Sequence, residues 1–224
     1  MSASLRTFDA YLFDLDGTLI DSIELIFRSY EHTFREHRMP VIDRARILAH
    51  LGRTLTDSFG DFASDASAIP DLVATYREFN LAHHDALVKP YAGAHELVDV
   101  LRASGRKVGI VTSKKRETAR RGLAVCGFDV AFDVFVGMED SARHKPDPEP
   151  LERALERLCM QPADACYVGD SPHDAAAGNA AGVHFFAAGW GPFARAHFAT
   201  VSIAGWLEHP RELLERALSQ PVRE

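Results

Sequence analysis

Short apolar runs, each closed by a polar or small residue, recur along the chain: Tyr11-Leu12-Phe13-Asp14, Val108-Gly109-Ile110-Val111-Thr112, Val134-Phe135-Val136-Gly137, Tyr167-Val168-Gly169-Asp170 and Val183-His184-Phe185-Phe186. Runs this short and this uniformly hydrophobic predict strands buried on both faces. Between the later runs, apolar positions take helical spacing over 95–103, 117–126, 151–158 and 171–181. Gly105, Gly127 and Gly182 stand just past three of these ends, where a left-handed residue stops a helix. Strand and helix in alternation predict an α/β fold, a parallel sheet covered on both faces, with ligands beyond the carboxyl ends of the strands.

One connection breaks the rhythm. Asp14 and Lys107 stand roughly three times as far apart in sequence as the thirty or so residues a βαβ crossover needs. Asp21-Ser22-Ile23-Glu24 reads as a capping box, and Ile23, Ile26, Phe27, Tyr30 and Phe34 follow at helical spacing. Further helices are predicted over 43–51 and 72–88, with hinges at 17–21 and 89–93. The expected division is a core of 1–20 and 89–224 and a helical cap domain of 21–88.

Polar residues at four strand ends turn this layout toward chemistry. In Asp14-Leu15-Asp16-Gly17-Thr18, residues i and i+2 of an extended chain share a face, so Asp14 and Asp16 point into one site while Leu15 points away. Gly17 permits the sharp turn that follows. Two carboxylates this close repel unless a cation lies between them, and Mg²⁺ suits one or two carboxylates together with waters and a phosphate. Thr112-Ser113 ends the second run before a helix; hydroxyls beside backbone N–H groups suit an anion, and Ser113 alone also suits a helix cap. In His144-Lys145-Pro146-Asp147-Pro148 two prolines stiffen a loop that holds Lys145, able to neutralise a phosphate or the crowded carboxylates. In Gly169-Asp170-Ser171-Pro172-His173-Asp174, Ser171 and Asp174 fit a capping box with proline at the first helical position. Asp170 has no such explanation and brings a third metal-directed carboxylate near Asp14 and Asp16. The set suits phosphoryl transfer, in which cations offset charge and the protein positions an in-line attack. Asp14 is the expected nucleophile, forming an aspartyl phosphate. Asp16 is the expected acid that protonates the leaving group and then activates water, under a lid of inserted helices.

Composition narrows the partners. The 224 residues carry 25 Lys+Arg against 32 Asp+Glu, a net charge of −7, which disfavours nucleic acid and anionic membranes and favours a small substrate. Cys126, Cys159 and Cys166 lack CxxC spacing, so neither a disulfide framework nor a thiolate zinc site is readable. Residues 1–8 hold no apolar signal core, and no uncharged apolar run approaches membrane-spanning length, so a cytoplasmic protein is expected. Gly189-Trp190-Gly191-Pro192-Phe193-Ala194 matches GxGxxA, but it follows the last strand rather than the first and Pro192 interrupts it. It reads as a loop over the site.

In order and spacing the four strand-end segments resemble the four motifs of the haloacid dehalogenase superfamily, over nearly the whole chain. The resemblance implies a Rossmann-like core with an α-helical cap inserted after the first motif, and Mg²⁺ as cofactor. It implies that Asp14, Asp16 and Asp170 hold the metal, with Asp174 supporting its water shell or Lys145. Asp14, Gly17, Thr112, Ser113 and Lys145 would surround the phosphate. Within the superfamily, Leu51-Gly52-Arg53-Thr54-Leu55 and the layout are similar to phosphoglycolate phosphatases. Tyr76-Arg77-Glu78-Phe79-Asn80, His83-His84-Asp85, Leu87-Val88, Gly109 to Lys114 and Lys145 to Pro150 are similar to PpaX-type pyrophosphatases of that group. A small phosphorylated substrate is implied, pyrophosphate first, with phosphoglycolate or another small phosphomonoester as the alternative. Arg53, His83 and His84 become candidates for substrate contacts from the cap. Aspartate at position 16 disfavours a dehalogenase, and no cap motif for a sugar points to a phosphomutase. A phosphoacceptor signalling domain would carry its acceptor on a middle strand of a much shorter chain.

Overall fold

The structure, a computed structural model, describes residues 7–128 and 132–218. Most of the N-terminal stretch on which the export expectation rests lies outside those residues. In chain order the elements are β1 (Ala10–Phe13), β2 (Ile20–Asp21), α1 (Ile23–Glu36), α2 (Arg44–Leu48), α3 (Leu55–Phe62), α4 (Ile69–Leu87), β3 (Lys89–Pro90), α5 (Ala94–Ala103), β4 (Lys107–Val111), α6 (Arg116–Val125), β5 (Val134–Val136), α7 (Glu149–Leu158), β6 (Ala165–Gly169), α8 (Pro172–Ala180), β7 (His184–Ala188), β8 (Gly205–Leu207) and α9 (Pro210–Leu218). Six strands form one sheet in the order β5-β4-β1-β6-β7-β8, every neighbouring pair parallel. The α/β, Rossmann-like expectation is met.

Strand β1 sits between β4 and β6, where the order of connection reverses, and such a switch point opens a crevice at the carboxyl ends. The register carries the polar residues to that edge. Phe13 pairs with both Ile110 and Val168, so Asp14, Thr112 and Asp170 emerge side by side. Alternation along β1 sends Tyr11 and Phe13 into the layer of α5 and α9, with Leu97, Leu101 and Leu213, and sends Ala10 and Leu12 into the layer of α7 and α8, with Leu151 and Ala175. Leu15 is fully buried in the first layer, so the turn after β1 keeps its polar residues on the other side.

The chain leaves the sheet through β2 and returns through β3, which pair antiparallel with Ile20 opposite Pro90. Between them lie four α-helices. Tyr30 of α1 packs edge-on against Tyr76 of α4 at 4.9 Å and tilts against Phe59 of α3 at 5.2 Å, an aromatic core of the kind that adds to plain area burial. Helix α3 was not foreseen, and the expected helix 43–51 stops at Leu48. Thr54 explains the first: its side chain accepts from Asp57 N–H and starts a new helix after the turn at Gly52, whose φ is +87°. The expected capping box at 21–24 does not form. Ser22 donates its hydroxyl to Asp16 instead, Asp21 accepts from Ile23 N–H, and Glu24 pairs with Arg28 and Arg44.

Gly105, Gly127 and Gly182 have φ between +75° and +78° and end their helices as read, whereas α7 ends on Cys159 at φ +54°. The edge strand β8, helix α9 and the β2–β3 ribbon are additions to the expected elements. Among the described residues no helix is long and apolar enough to cross a membrane.

Candidate active site

Lys145 organises the crevice. The residue is 3% exposed, and its ammonium donates to Asp14 Oδ1 at 2.8 Å, to Asp174 Oδ1 at 2.6 Å and to the Tyr167 hydroxyl at 2.9 Å. Tyr167, at the middle of β6, donates its hydroxyl to Asp174 Oδ1 at 2.9 Å. The other Asp174 oxygen accepts from Ser171 N–H and hydroxyl, and Ser171 closes the capping box of α8 as expected. Both oxygens of Asp174 are therefore committed to the protein, one of them to Lys145 directly.

Carboxylate oxygens of Asp14, Asp170 and Asp174 lie within 4.8 Å of one another, all buried. Burial is the largest influence on Asp14 and, with Asp174 and Asp16 nearby, pushes its pKa up to about 7 against the opposing pull of Lys145. Asp170 is raised well above the carboxylate range by burial first, then by Asp174 and Asp14. Burial opposes ionisation of Asp174 as well, but Lys145, Ser171 and Tyr167 outweigh it and hold that group below its usual value. The same two aspartates, Asp14 and Asp174, hold Lys145 charged despite its burial. One ammonium against three buried carboxylates leaves negative charge unbalanced. A hard divalent cation with oxygen ligands fits such a donor set, Asp14 and Asp170 being the members with oxygens to spare.

The trio differs from the expected one, because Asp16 is not in it. Two donors, the Ser22 hydroxyl and Lys114 Nζ at 2.8 Å, hold the Asp16 carboxylate instead. Sharing a strand face set both carboxylates toward one crevice, but these hydrogen bonds give Asp16 partners that Asp14 does not have.

Close packing around Asp170 accounts for two glycines. Gly17 has φ +84°, and a Cβ there would fall inside van der Waals contact with the Asp170 carboxylate; a Cβ on Gly191 would collide with Asp170 Cβ. Gly191 belongs to the GxGxxA segment, which does lie over the site, with Trp190 Nε1 donating to Thr18 carbonyl at 2.8 Å. Gly17→Ala is accordingly expected to lower stability by about 1–2 kcal/mol from the left-handed backbone alone, with a further loss from displacing Asp170. Urea unfolding of the purified variant measures the sum.

A cavity of about 290 Å³ opens above Asp14 and Asp16 and runs between core and cap. Its floor includes Thr112 and Lys114, and its cap wall includes Arg53, Asn80 and Tyr76. Arg53 lines it as read, its guanidinium tied to Asp61 at 2.6 Å and to His50 at 3.0 Å. Ser113 lines it too, yet its hydroxyl neither caps α6 nor stands idle: it donates to the Gly52 carbonyl of the cap at 2.6 Å. His173 Nε2, at the start of α8, meets the Ala49 carbonyl at 3.2 Å, so one core loop and the first turn of α8 both bond the turn at 49–52.

His83 and His84 do not reach the cavity. His84 follows Tyr76 and Asn80 on one face of α4, but one turn beyond Asn80, about 6 Å along the axis, carries it past the cavity. It is fully buried there, paired through Nδ1 with Asp85 at 2.9 Å, and its Nε2 faces Gly122 of α6. His83 is exposed and stacks on Phe79 at 4.1 Å. Lys114, Ser22, Tyr167 and Asn80 were missing from the expected set. Only Lys114 carried a usable signal, its place directly after Thr112-Ser113.

Comparison with known proteins agrees with this geometry. The family model for haloacid dehalogenase-like hydrolases matches residues 11–188. The chain is 46% identical over 172 residues to pyrophosphatase PpaX of Halalkalibacterium halodurans, covering 77% of this chain and 79% of that one. It is 40% identical over 203 residues to pyrophosphatase PpaX of Bacillus anthracis, covering 91% and 93%. Among solved structures, a Lactobacillus plantarum protein provisionally named a phosphoglycolate phosphatase superposes with a TM-score of 0.84 at 28% identity, over 94% of this chain and all of the other.

Proposed function

The chain belongs to the haloacid dehalogenase-like hydrolases and is a phosphohydrolase, and from that premise we propose that it is a Mg²⁺-dependent pyrophosphatase working through an aspartyl phosphate on Asp14. The observation that carries this reading is the pairing of a buried Asp14, held at 2.8 Å by Lys145, with an Asp16 turned toward the cavity, in a chain 46% identical to a pyrophosphatase.

Asp14 and Asp170 would hold the cation, with Asp174 behind them, and when bound it offsets the charge of the transferring phosphoryl group. Asp14 attacks the phosphorus in line while Lys145 and the Thr112 hydroxyl steady the phosphoryl oxygens. The bridging P–O bond breaks, its electron pair stays on the departing phosphate, and Asp16 supplies the proton. Asp16 then takes a proton from water, whose oxygen attacks the same phosphorus and returns Asp14 as a carboxylate. One pyrophosphate and one water give two inorganic phosphates. Residues 21–88 form the cap domain in this reading, and Ser113 and His173 hold it closed over the reaction, which keeps bulk water out. Phosphoglycolate remains the second substrate, supported by the Lactobacillus plantarum relative and by a cavity that continues from Asp16 to Arg53.

Phosphate release from equal concentrations of pyrophosphate, 2-phosphoglycolate and a panel of sugar and nucleotide phosphates tests the assignment. A kcat/KM for pyrophosphate at least about 100-fold above the rest, nearly 3 kcal/mol of discrimination, is the expected result. A preference for phosphoglycolate selects the second substrate. Chelation with EDTA is expected to stop turnover and added Mg²⁺ to restore it; undiminished activity in EDTA would remove the metal from the mechanism.

A further inference from the structure

Lys114 takes no part in the reaction as written, yet its ammonium contacts the proposed acid. Nζ is 2.8 Å from Asp16 Oδ1 and the side chain is only 14% exposed. The loop after β4 fixes it: its N–H donates to Thr112 Oγ1 at 3.2 Å, and its carbonyl accepts from Met138 N–H at 3.0 Å. Lys114 and Asp16 line the same cavity. Arg53, Arg77 and Lys115 line it as well; Arg53 is committed to Asp61 and His50, whereas Lys114 is bonded to Asp16 itself.

Reach decides what Lys114 can recognise. On the proposed mechanism the Asp16 carboxylate meets the bridging oxygen of the substrate. An ammonium bonded to that carboxylate serves acceptors within about 3 Å of its nitrogen, which means the bridging oxygen and the oxygens on the atom bonded to it. In pyrophosphate that atom is the second phosphorus, carrying charged oxygens. In phosphoglycolate it is a methylene with the carboxylate a bond further away, and in an aryl phosphate it is an aromatic carbon. We propose that Lys114 binds the departing phosphoryl group of a phosphoanhydride and thereby sets the preference for pyrophosphate over phosphomonoesters. This rests on the pyrophosphatase reading and adds the residue that selects its substrate. As the bridging bond breaks and charge gathers on the departing phosphate, Lys114 offsets it from the side opposite Asp14.

The test compares pyrophosphate with p-nitrophenyl phosphate, whose leaving group has no second phosphoryl, in Lys114→Met and Lys114→Arg. Lys114→Met is expected to lower kcat/KM for pyrophosphate about 100-fold, the range of one hydrogen bond to a charged group. The accompanying fall on p-nitrophenyl phosphate should be at least about 30-fold smaller, and Lys114→Arg should recover about tenfold on pyrophosphate. The inhibition constant of methylenediphosphonate against p-nitrophenyl phosphate should rise about tenfold or more in Lys114→Met. Equal falls on both substrates with an unchanged inhibition constant would overturn the assignment, leaving Lys114 as a support for Asp16. An unsubstituted protein that prefers phosphoglycolate overturns the pyrophosphatase reading and this one with it; failure confined to the variants overturns the Lys114 assignment alone.

Discussion

Asp14→Asn is expected to lower turnover at least about 10⁴-fold, the scale on which loss of a nucleophile is felt, while the folded protein survives. Asparagine keeps the size of the side chain and one acceptor for Lys145, which retains Asp174 and Tyr167 as partners. Stability separates this outcome from simple collapse. Burial first, then the neighbouring carboxylates, raise the Asp14 pKa to about 7 from an ordinary value of 3.8, against the pull of Lys145. A group with a raised folded-state pKa binds a proton more tightly folded than unfolded, so the metal-free protein loses stability as pH rises from about 4 to 7. The asparagine variant lacks that loss. In EDTA at pH 8 it should be at least as stable as the unsubstituted protein, the difference closing toward pH 4. Added Mg²⁺ should reverse the order, because only the intact site gains the free energy of binding. Urea unfolding with and without metal, alongside phosphate release, reads both effects; turnover within tenfold of the parent would rule Asp14 out as the nucleophile.

What could be foreseen and what could not divide along physical lines. Strand ends were legible because a buried parallel strand is a continuous apolar run, and its first polar residue marks where it leaves the core. Asp14, Thr112 and Asp170 are such residues, and parallel pairing carries them to one edge. Capping by Ser171 and Asp174 was legible because it uses neighbours in sequence. Side-chain bonds between distant elements were not. Lys114 reaches Asp16 from a loop 98 residues away, and although it stands directly after Thr112-Ser113, nothing in sequence order pairs the two. His83 and His84 failed for a related reason: periodicity gives the face of a helix but not how far along it a cavity extends. The edge strand β8, three residues of which only Leu207 is fully buried, is too short to show a period. Helix α3 begins at a cap, Thr54, whose apolar followers are few.

Lys145→Met is expected to be the most destabilising of the single substitutions considered, by about 3–5 kcal/mol in EDTA at pH 8, because removing one partner leaves uncompensated buried charge. Methionine fills the space of the lysine stem, so little of the loss comes from packing. Its pH dependence distinguishes charge from shape. In the parent, Lys145, Ser171 and Tyr167 outweigh burial and hold Asp174 below its usual pKa, so Asp174 adds stability above about pH 4 that is lost as pH falls. Without the ammonium, burial dominates Asp14, Asp170 and Asp174 together, and each favours the protonated form when folded. Stability of the variant should then fall as pH rises through the acid range, the opposite sign from Asp174 in the parent, so the gap between the two widens toward neutrality. Adding Asp174→Asn to Lys145→Met removes one of the stranded charges and should recover part of the loss, a coupling expected only between groups in direct contact. A gap that stays constant from pH 5 to pH 8 would mean that Lys145 serves packing alone, and would remove the electrostatic basis for placing a cation among these carboxylates.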